Sequence, residues 1–215
     1  MTERDRSARP DEQAVPKLAL THGQAIRLMS ELGLRQDVSV PTFNYYVKSL
    51  RKLGIPFEKG KGQSEGHRHI TYDFGDLMEL AMALLLRVYG TLPDAVAAGI
   101  RRFRGELRPI FRQAYLDRSK RAYPAARISA PRMRPVILEG VFVDLNIRYA
   151  AGRMVELGPP RAVSPFEALA LYARSGLPAR SYLPLDLSRL AERIVERGRA
   201  LPPVRRGRRR RTIPS

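Results

Sequence analysis

Apolar side chains recur at helical spacing in two consecutive segments near the start of the chain. The first segment follows Thr21 and Gln24, which stand in the spacing of a capping box, and it ends at Gly33. The second segment opens at Val40-Pro41, where proline suits the first turn of a helix, and it ends at Gly54. Its apolar stripe comprises Phe43, Tyr46 or Val47, Leu50 and Leu53. The pattern predicts two short helices joined by a turn, the second over 40–53.

The pattern changes to short strand-like runs after the second helix. Ile55-Pro56-Phe57 is too short for a helix and predicts a strand, and residues 67–72 alternate with a period of two. The stretch between them, 58–66, is polar and contains several glycines, which favours the tip of a β-hairpin. The sequence therefore predicts a wing over 57–72.

Further helices are predicted in the middle of the chain. Asp73 and Asp76 are placed to cap a helix over 74–89, and a second helix is expected from 92 to about 107. Pro109 is expected to kink the chain before a last helical stretch that reaches about residue 120.

The last third of the chain first alternates and then returns to helical spacing. Residues 136–149 alternate between apolar and polar, and residues 154–157 return after a turn, which predicts a second hairpin. Two helices are predicted beyond it, one from the Ser164–Glu167 capping box to Arg174 and one from Asp186 to Arg197.

These elements predict a mainly helical α+β protein, with an N-terminal winged helix-turn-helix followed by a small α+β C-terminal domain. The expected division is a flexible arm at 1–19, the winged helix-turn-helix with trailing helices at 20–120, a linker at 121–134, the α+β domain at 135–200 and a disordered basic tail at 201–215.

The charge balance gives this architecture a class of partner. The 215 residues include 39 Lys and Arg against 21 Asp and Glu, a formal net charge of +18. Nucleic acid therefore leads the expected partners, ahead of anionic membrane surfaces and acidic proteins. The longest apolar run, 77–86, is interrupted by Glu79 and is far shorter than the ~20 residues of a membrane span, so no membrane role is expected. A cytoplasmic, nucleoid-associated protein is predicted.

The second helix carries the predicted DNA-reading surface. Residues that its apolar stripe leaves outside can donate to phosphates and to base edges if the helix enters a major groove. They are Thr42, Asn44, Tyr45, Lys48, Arg51 and Lys52. The wing adds polar side chains that are suited to the DNA backbone, namely Lys59, Lys61, Gln63 and Arg68. Of the two adjacent tyrosines, Tyr46 is expected to pack inward and Tyr45 to face DNA.

Four short motifs stand in order at regular distances along the first half of the chain. They are Phe43-Asn44-Tyr45-Tyr46, Leu53-Gly54-Ile55, the run from Gly66 to Tyr72, and Asp76-Leu77 with Gly90-Thr91-Leu92 behind it. Together they resemble the MerR family of bacterial transcription regulators over residues 20 to about 105. Asn44 stands where that family typically has arginine. The resemblance implies duplex DNA binding, a homodimer and, as a further candidate partner, RNA polymerase.

Other chemistry finds little support in the sequence. Cysteine is absent, which excludes disulfides, thiolate metal sites and cysteine catalysis. No phosphate-binding glycine loop, serine elbow or acid–base constellation is present, so neither an enzyme nor a cofactor is expected. His67 and His69 have a spacing that metals accept, but phosphate or hydrogen-bond roles are favoured and no metal is predicted. The cluster at 101–104 is either a phosphate contact or a solubilising face.

Three functions remain open. The first is a sequence-specific transcription regulator. The second is a non-specific or architectural nucleic-acid binder, or a phage-type DNA-processing adaptor, and the third is a small-molecule or protein-binding module. The tail after residue 204 carries six arginines and no acid, which favours a mobile arm that either grips phosphates or is merely solvated.

Overall fold

Helices dominate the structure, a computed structural model, and the predicted mainly helical α+β class is confirmed. The structure describes residues 16–57, 70–88, 93–116, 142–144, 147–150, 153–164, 166–167, 170, 180–181 and 185–202. The helices with printed bounds in these ranges are α1 (His22–Glu31), α2 (Val40–Lys52), α3 (Phe74–Val88), α4 (Pro93–Arg102), α5 (Arg104–Leu116) and α6 (Leu187–Ala200).

Polar caps fix where the first two helices begin. The capping box predicted before α1 is present, since the side chains of Thr21 and Gln24 each accept a hydrogen bond from the other's backbone N–H. Ser39 caps α2 in a similar way, because its hydroxyl accepts from the N–H of Thr42. Both helices end before a glycine with positive φ, 82° at Gly33 and 88° at Gly54, as the sequence predicted.

The caps predicted at Asp73, Ser164 and Asp186 are also present, whereas Thr91, predicted to cap the helix before Asp94, lies outside the described residues. Asp73 and Asp76 exchange side-chain-to-backbone hydrogen bonds of 2.7 and 3.1 Å at the start of α3. Ser164 and Glu167 form a reciprocal box of the same kind, and Asp186 accepts from the third residue of α6 at 2.9 Å. Of the further helix expected over 165–174, residues 166, 167 and 170 are helical, and the others lie outside the described residues.

One strand prediction near α2 is wrong. β2 (Thr71–Tyr72) pairs antiparallel with β1 (Leu20–Thr21). Residues 55–57 instead form bends, because the N–H of Ile55 closes the end of α2 by donating to the carbonyl of Leu50 at 3.0 Å. The segment contacts β2 through side chains, with the rings of Phe57 and Tyr72 packed edge to face.

The predicted hairpin in the last third is present, since β4 (Ile147–Ala150) pairs with β5 (Arg153–Leu157). β3 (Phe142–Asp144) also lies within the strand expected over 136–149 but belongs to a different sheet, and residues 136–141 and 145–146 lie outside the described residues. Three further strands complete the described sheets, namely β6 (Arg161–Val163), β7 (Arg180–Ser181) and β8 (Leu185–Asp186). The sheet orders are β6-β3-β8 and β5-β4-β7, with every pairing antiparallel.

The helical stretch after α3 breaks at Phe103 rather than at Pro109. Phe103 ends α4 by donating to Gly99 and begins α5 by accepting from Glu106 and Leu107. Its ring is only 9% exposed, which indicates that the corner is held by burial. The helix α5 continues through Pro109, which lies in its sixth position.

The helix α6 belongs to the same hydrophobic core as the N-terminal helices. Its buried residues include Leu190, Ile194 and Val195, and it packs against α1, α3 and α5. The sequence had placed this helix with the C-terminal hairpin in a separate domain. The hairpin also contacts the helical part, since β5 lies against α4. No helix among the described residues is long and apolar enough to cross a bilayer.

Candidate nucleic-acid interface

The helix α2 has one buried stripe and one open face. Phe43, Val47 and Leu50 are nearly inaccessible to solvent and pack into the core. The opposite face is polar and aromatic, and its exposed members include Asn44, Tyr45, Lys48 and Lys52. Tyr45 is 64% exposed, so the predicted exposure of its ring is confirmed, whereas its contact with DNA stays a prediction.

Two other residues of the predicted reading surface are tied to the protein itself. Thr42 is half-buried, and its hydroxyl lies 2.8 Å from that of Ser39, the residue that caps the helix. Arg51 is also half-buried, and it lies close enough to His22 and Tyr72 for its charge to act on both. These two side chains therefore lie at the edges of the open face rather than at its centre.

Arg51 lies beside a stacked pair of rings between α1 and β2. The rings of His22 and Tyr72 are parallel within 23°, and the tyrosine hydroxyl lies 2.8 Å from the imidazole Nδ1. Burial, and then the positive charge of Arg51, lowers the pKa of His22. Burial raises the pKa of Tyr72 to about 12, so the phenol is neutral at ordinary pH and shares this hydrogen bond with the imidazole.

The opposite flank of α2 meets the last turn of α3. Tyr46 was predicted to pack inward, and it is half-buried. The guanidinium of Arg87 lies over its ring. Arg35, in the turn between α1 and α2, lines the same recess as these two residues. Neither Arg35 nor Arg87 was among the residues predicted to bind DNA. The sequence signal for Arg87 was its position directly after the apolar run of α3, where the helix emerges from the core.

The end of α2 is held by arginines from α4 and α5. Arg101 donates to the carbonyl of Leu53 at 3.3 Å, and Arg104 donates to the carbonyl of Gly54 at 2.6 Å. A side chain at Gly54 would be strained by the positive φ, and its Cβ would lie 3.2 Å from Arg101. Arg104 is therefore neither a phosphate contact nor part of a solubilising face, the two roles expected for 101–104, because its guanidinium binds groups inside the protein.

Arg104 belongs to a larger group of ion pairs that joins α5 to the first turns of α3. It binds Glu79, a carboxylate that is 1% exposed, with one N–H···O distance of 3.0 Å. Arg108 donates to Asp76 at 2.6 Å and to Asp73 at 3.2 Å. Because a buried carboxylate needs a partner, this group fixes α5 against α3 and, through Arg104, against the end of α2.

Part of the predicted site lies outside the described residues. This applies to the wing residues Lys59, Lys61, Gln63 and Arg68, to His67 and His69, and to the arginine-rich tail. The described part of the predicted surface is therefore the open face of α2 with its two edges.

Comparison of the chain with known protein families, with curated proteins and with solved structures finds no match in any of the three. The resemblance to the MerR family stays a prediction that rests on the motifs in the sequence. The function of the α2 surface is therefore inferred from its own geometry and charge.

Proposed function

We propose that this protein is a bacterial DNA-binding transcription regulator, similar to the MerR family, with a winged helix-turn-helix. In this proposal α2 reads the bases of duplex DNA and the wing over 57–72 contacts the backbone. The observation that carries the proposal is the open face of α2, on which Asn44, Tyr45, Lys48 and Lys52 are exposed opposite the buried stripe.

The dimensions and chemistry of this face suit a major groove. The groove of B-form DNA is about 12 Å wide, and an α-helix with its side chains is about 10–12 Å across. An exposed asparagine can pair in a bidentate manner with adenine, and lysines bind guanine or phosphates. The opposite face of α2 is anchored in the core by Phe43, Val47 and Leu50, so the reading side chains start from a fixed backbone.

The net charge of +18 supports binding to DNA but does not indicate which DNA sequence is bound. Charge of this size attracts any duplex, so it equally favours the second candidate function, a non-specific or architectural nucleic-acid binder. The proposed regulator acts as a homodimer at the nucleoid, with RNA polymerase as a further partner. The dimer is proposed from the family resemblance, because α6 packs within its own chain and β5 of the hairpin lies against α4.

Selection of duplexes from a random pool by the full-length chain tests the proposal. The selection is done at near-physiological salt with an excess of unrelated competitor DNA, because only the ratio of specific to non-specific affinity is informative. A transcription regulator enriches one motif and binds it at least about a thousand times more tightly than scrambled duplexes. Tight binding without an enriched motif would favour the architectural binder, and negligible salt-dependent binding would exclude both.

A further inference from the structure

A shallow recess lies on one flank of α2, between the turn that joins α1 to α2 and the last turn of α3. Its floor is apolar and includes Phe43 and Leu84. Its rim is polar, with Arg35 and Gln36 from the turn, Tyr46 from α2 and Arg87 from α3. Three separate elements therefore bring their side chains together at one place beside the proposed reading helix.

The recess is cationic, because two guanidiniums and no carboxylate are among the described residues that line it. Neither Arg35 nor Arg87 forms an ion pair within the part of the chain that the structure describes. This distinguishes them from Arg104 and Arg108, whose donors are directed to buried carboxylates. A surface with two half-buried guanidiniums and no acid favours an anionic ligand.

The contact between Arg87 and Tyr46 prepares the guanidinium for such a ligand. The guanidinium carbon lies over the face of the Tyr46 ring, which holds the cation without taking up its N–H donors as a carboxylate would. This contact also restricts a long side chain that would otherwise lose rotamer freedom on binding. Arg87 is therefore positioned before any ligand arrives.

The location of the recess indicates which anion would reach it. Tyr46 follows the exposed Tyr45 and lies about 100° around the helix from it, so it marks the flank of α2 rather than its outward centre. When a helix fills a major groove, its outward centre meets the base edges and its flanks meet the phosphates that form the groove walls.

We propose that the recess binds a phosphodiester of the DNA strand that passes along the Tyr46 flank of α2, with Arg35 and Arg87 as the donors. This proposal rests on the proposed function and adds a backbone anchor that the sequence analysis did not identify. The anchor fixes how deeply and in which register α2 enters the groove, and it reads no base itself.

Salt dependence of binding is the first test. Affinities of full-length protein are measured on the selected duplex and on a scrambled one at several salt concentrations, for Arg35→Ala, Arg87→Ala and the double variant. Each lost phosphate contact should reduce the slope of log affinity against log salt by about 0.9. If each arginine makes one contact, the double variant should lose up to about 1.8 of this slope. The preference between the two duplexes should not change. Arg197→Ala, which removes an exposed arginine from α6, is the matched control and should leave the slope unaltered.

Neutral phosphates provide the second test. Single methylphosphonate substitutions neutralise one phosphate at a time along the selected duplex. At one position the substitution should lower the affinity of the wild-type chain but leave the affinity of Arg87→Ala unchanged. Arg87→Gln, which keeps a long polar side chain, should behave like Arg87→Ala, and unfolding midpoints in urea show that both variants are folded. This coupling links a particular phosphate to a particular side chain.

The outcomes separate the two proposals. If the folded double variant keeps both the slope and the methylphosphonate effect while the wild type binds its duplex specifically, the phosphodiester site is wrong and the proposed function stands. If inorganic phosphate binds to the wild type but not to Arg87→Ala, and the DNA slope is unchanged, the recess holds a free anion instead and the proposal is overturned. If the wild type shows no salt-dependent DNA binding at all, both the proposed function and the phosphodiester site are wrong.

Discussion

Two regions of this protein use basic side chains in opposite ways. Between α3 and α5, Arg104 and Arg108 direct their donors to carboxylates, one of which, Glu79, is 1% exposed. On the open face of α2, Lys48 and Lys52 are exposed, and neither forms a hydrogen bond or an ion pair through its side chain among the described residues. The first pair of cations holds the fold, whereas the second pair is available to a partner.

The comparison shows why net charge alone is a weak guide to the binding surface. A count of basic residues gives Arg104 and Lys48 the same weight, although the first is already neutralised inside the protein. Removal of one member of a buried ion pair leaves an uncompensated charge, but removal of a solvated lysine leaves nothing buried. The two regions should therefore respond to mutation in different measurements, one in stability and the other in binding.

The largest effect is expected from Arg104→Ala. This change leaves the carboxylate of Glu79 with the 3.4 Å contact to Arg108 in place of its bidentate partner, and it removes the described donor to the carbonyl of Gly54. Breaking a buried pair from one side typically costs about 3–5 kcal/mol of unfolding free energy. Urea unfolding followed by far-ultraviolet circular dichroism measures this loss.

Arg101→Ala is the matched control for that variant. Arg101 is exposed and, among the described residues, donates one hydrogen bond of 3.3 Å, to the carbonyl of Leu53, so its removal should cost no more than about 1 kcal/mol. A double change of Arg104→Met with Glu79→Leu should recover much of the lost stability, since no buried charge then lacks a partner. Equal costs for Arg104→Ala and Arg101→Ala would contradict the division between the two regions.

Asn44→Ala is expected to act on the other side of the comparison. If the exposed amide pairs with adenine in the groove, its loss should reduce discrimination between the selected duplex and a duplex altered at that base by about 1–3 kcal/mol. Titration of both duplexes by fluorescence anisotropy measures the change. Gln113→Ala, which removes an exposed amide from α5, should leave discrimination intact. Unchanged discrimination in both variants would show that Asn44 reads no base.

Arg51 lies at the border of the two regions, and its neighbours His22 and Tyr72 make stability depend on pH. Burial and the charge of Arg51 lower the pKa of His22 from its ordinary value of 6.5, so the folded chain binds the proton less tightly than the unfolded chain. The resulting stability is fully present above pH 6.5 and is lost as the pH falls from there through the folded pKa. Urea midpoints measured from pH 8 to pH 5 should decrease over that window.

Two variants isolate the histidine in this pH series. His22→Gln should flatten the decrease, because the titrating group is gone. Tyr72→Phe removes the hydroxyl that is hydrogen-bonded to the imidazole and should cost about 0.5–1.5 kcal/mol at pH 8. A pH dependence that is the same in wild type and in His22→Gln would assign it to another group.

Local polar signals in the sequence predicted the helix starts well. The pairs Thr21–Gln24, Asp73–Asp76 and Ser164–Glu167 form the expected reciprocal hydrogen bonds, because a cap depends on residues only three positions apart. The stripe of α2 was also predicted, since burial on one side of a helix follows its period.

Predictions that depended on distant partners were less successful. Residues 55–57 have the length and composition of a strand, but they close the end of α2, and β1 takes their expected place beside β2. Arg104 looks like its exposed neighbours in the sequence, and only the fold brings Glu79 and Gly54 to it. The recess with Arg35 and Arg87 was missed for the same reason, because its walls come from three elements.

The smallest effect on stability, and the sharpest contrast with Arg104, is expected from Lys48→Ala. The side chain is exposed and has no partner among the described residues, so the unfolding free energy should stay within about 0.5 kcal/mol of wild type. If Lys48 contacts a phosphate, affinity should nevertheless fall on selected and scrambled duplexes alike, and the salt slope should decrease by about 0.9.

Lys17→Ala removes another exposed lysine, ahead of β1, and should change neither quantity. A loss of stability comparable to that of Arg104→Ala would place Lys48 in the fold, and an unaltered salt slope would remove it from the backbone contacts. A change in preference between the duplexes would show that Lys48 reads a base, as lysine does when it donates to guanine.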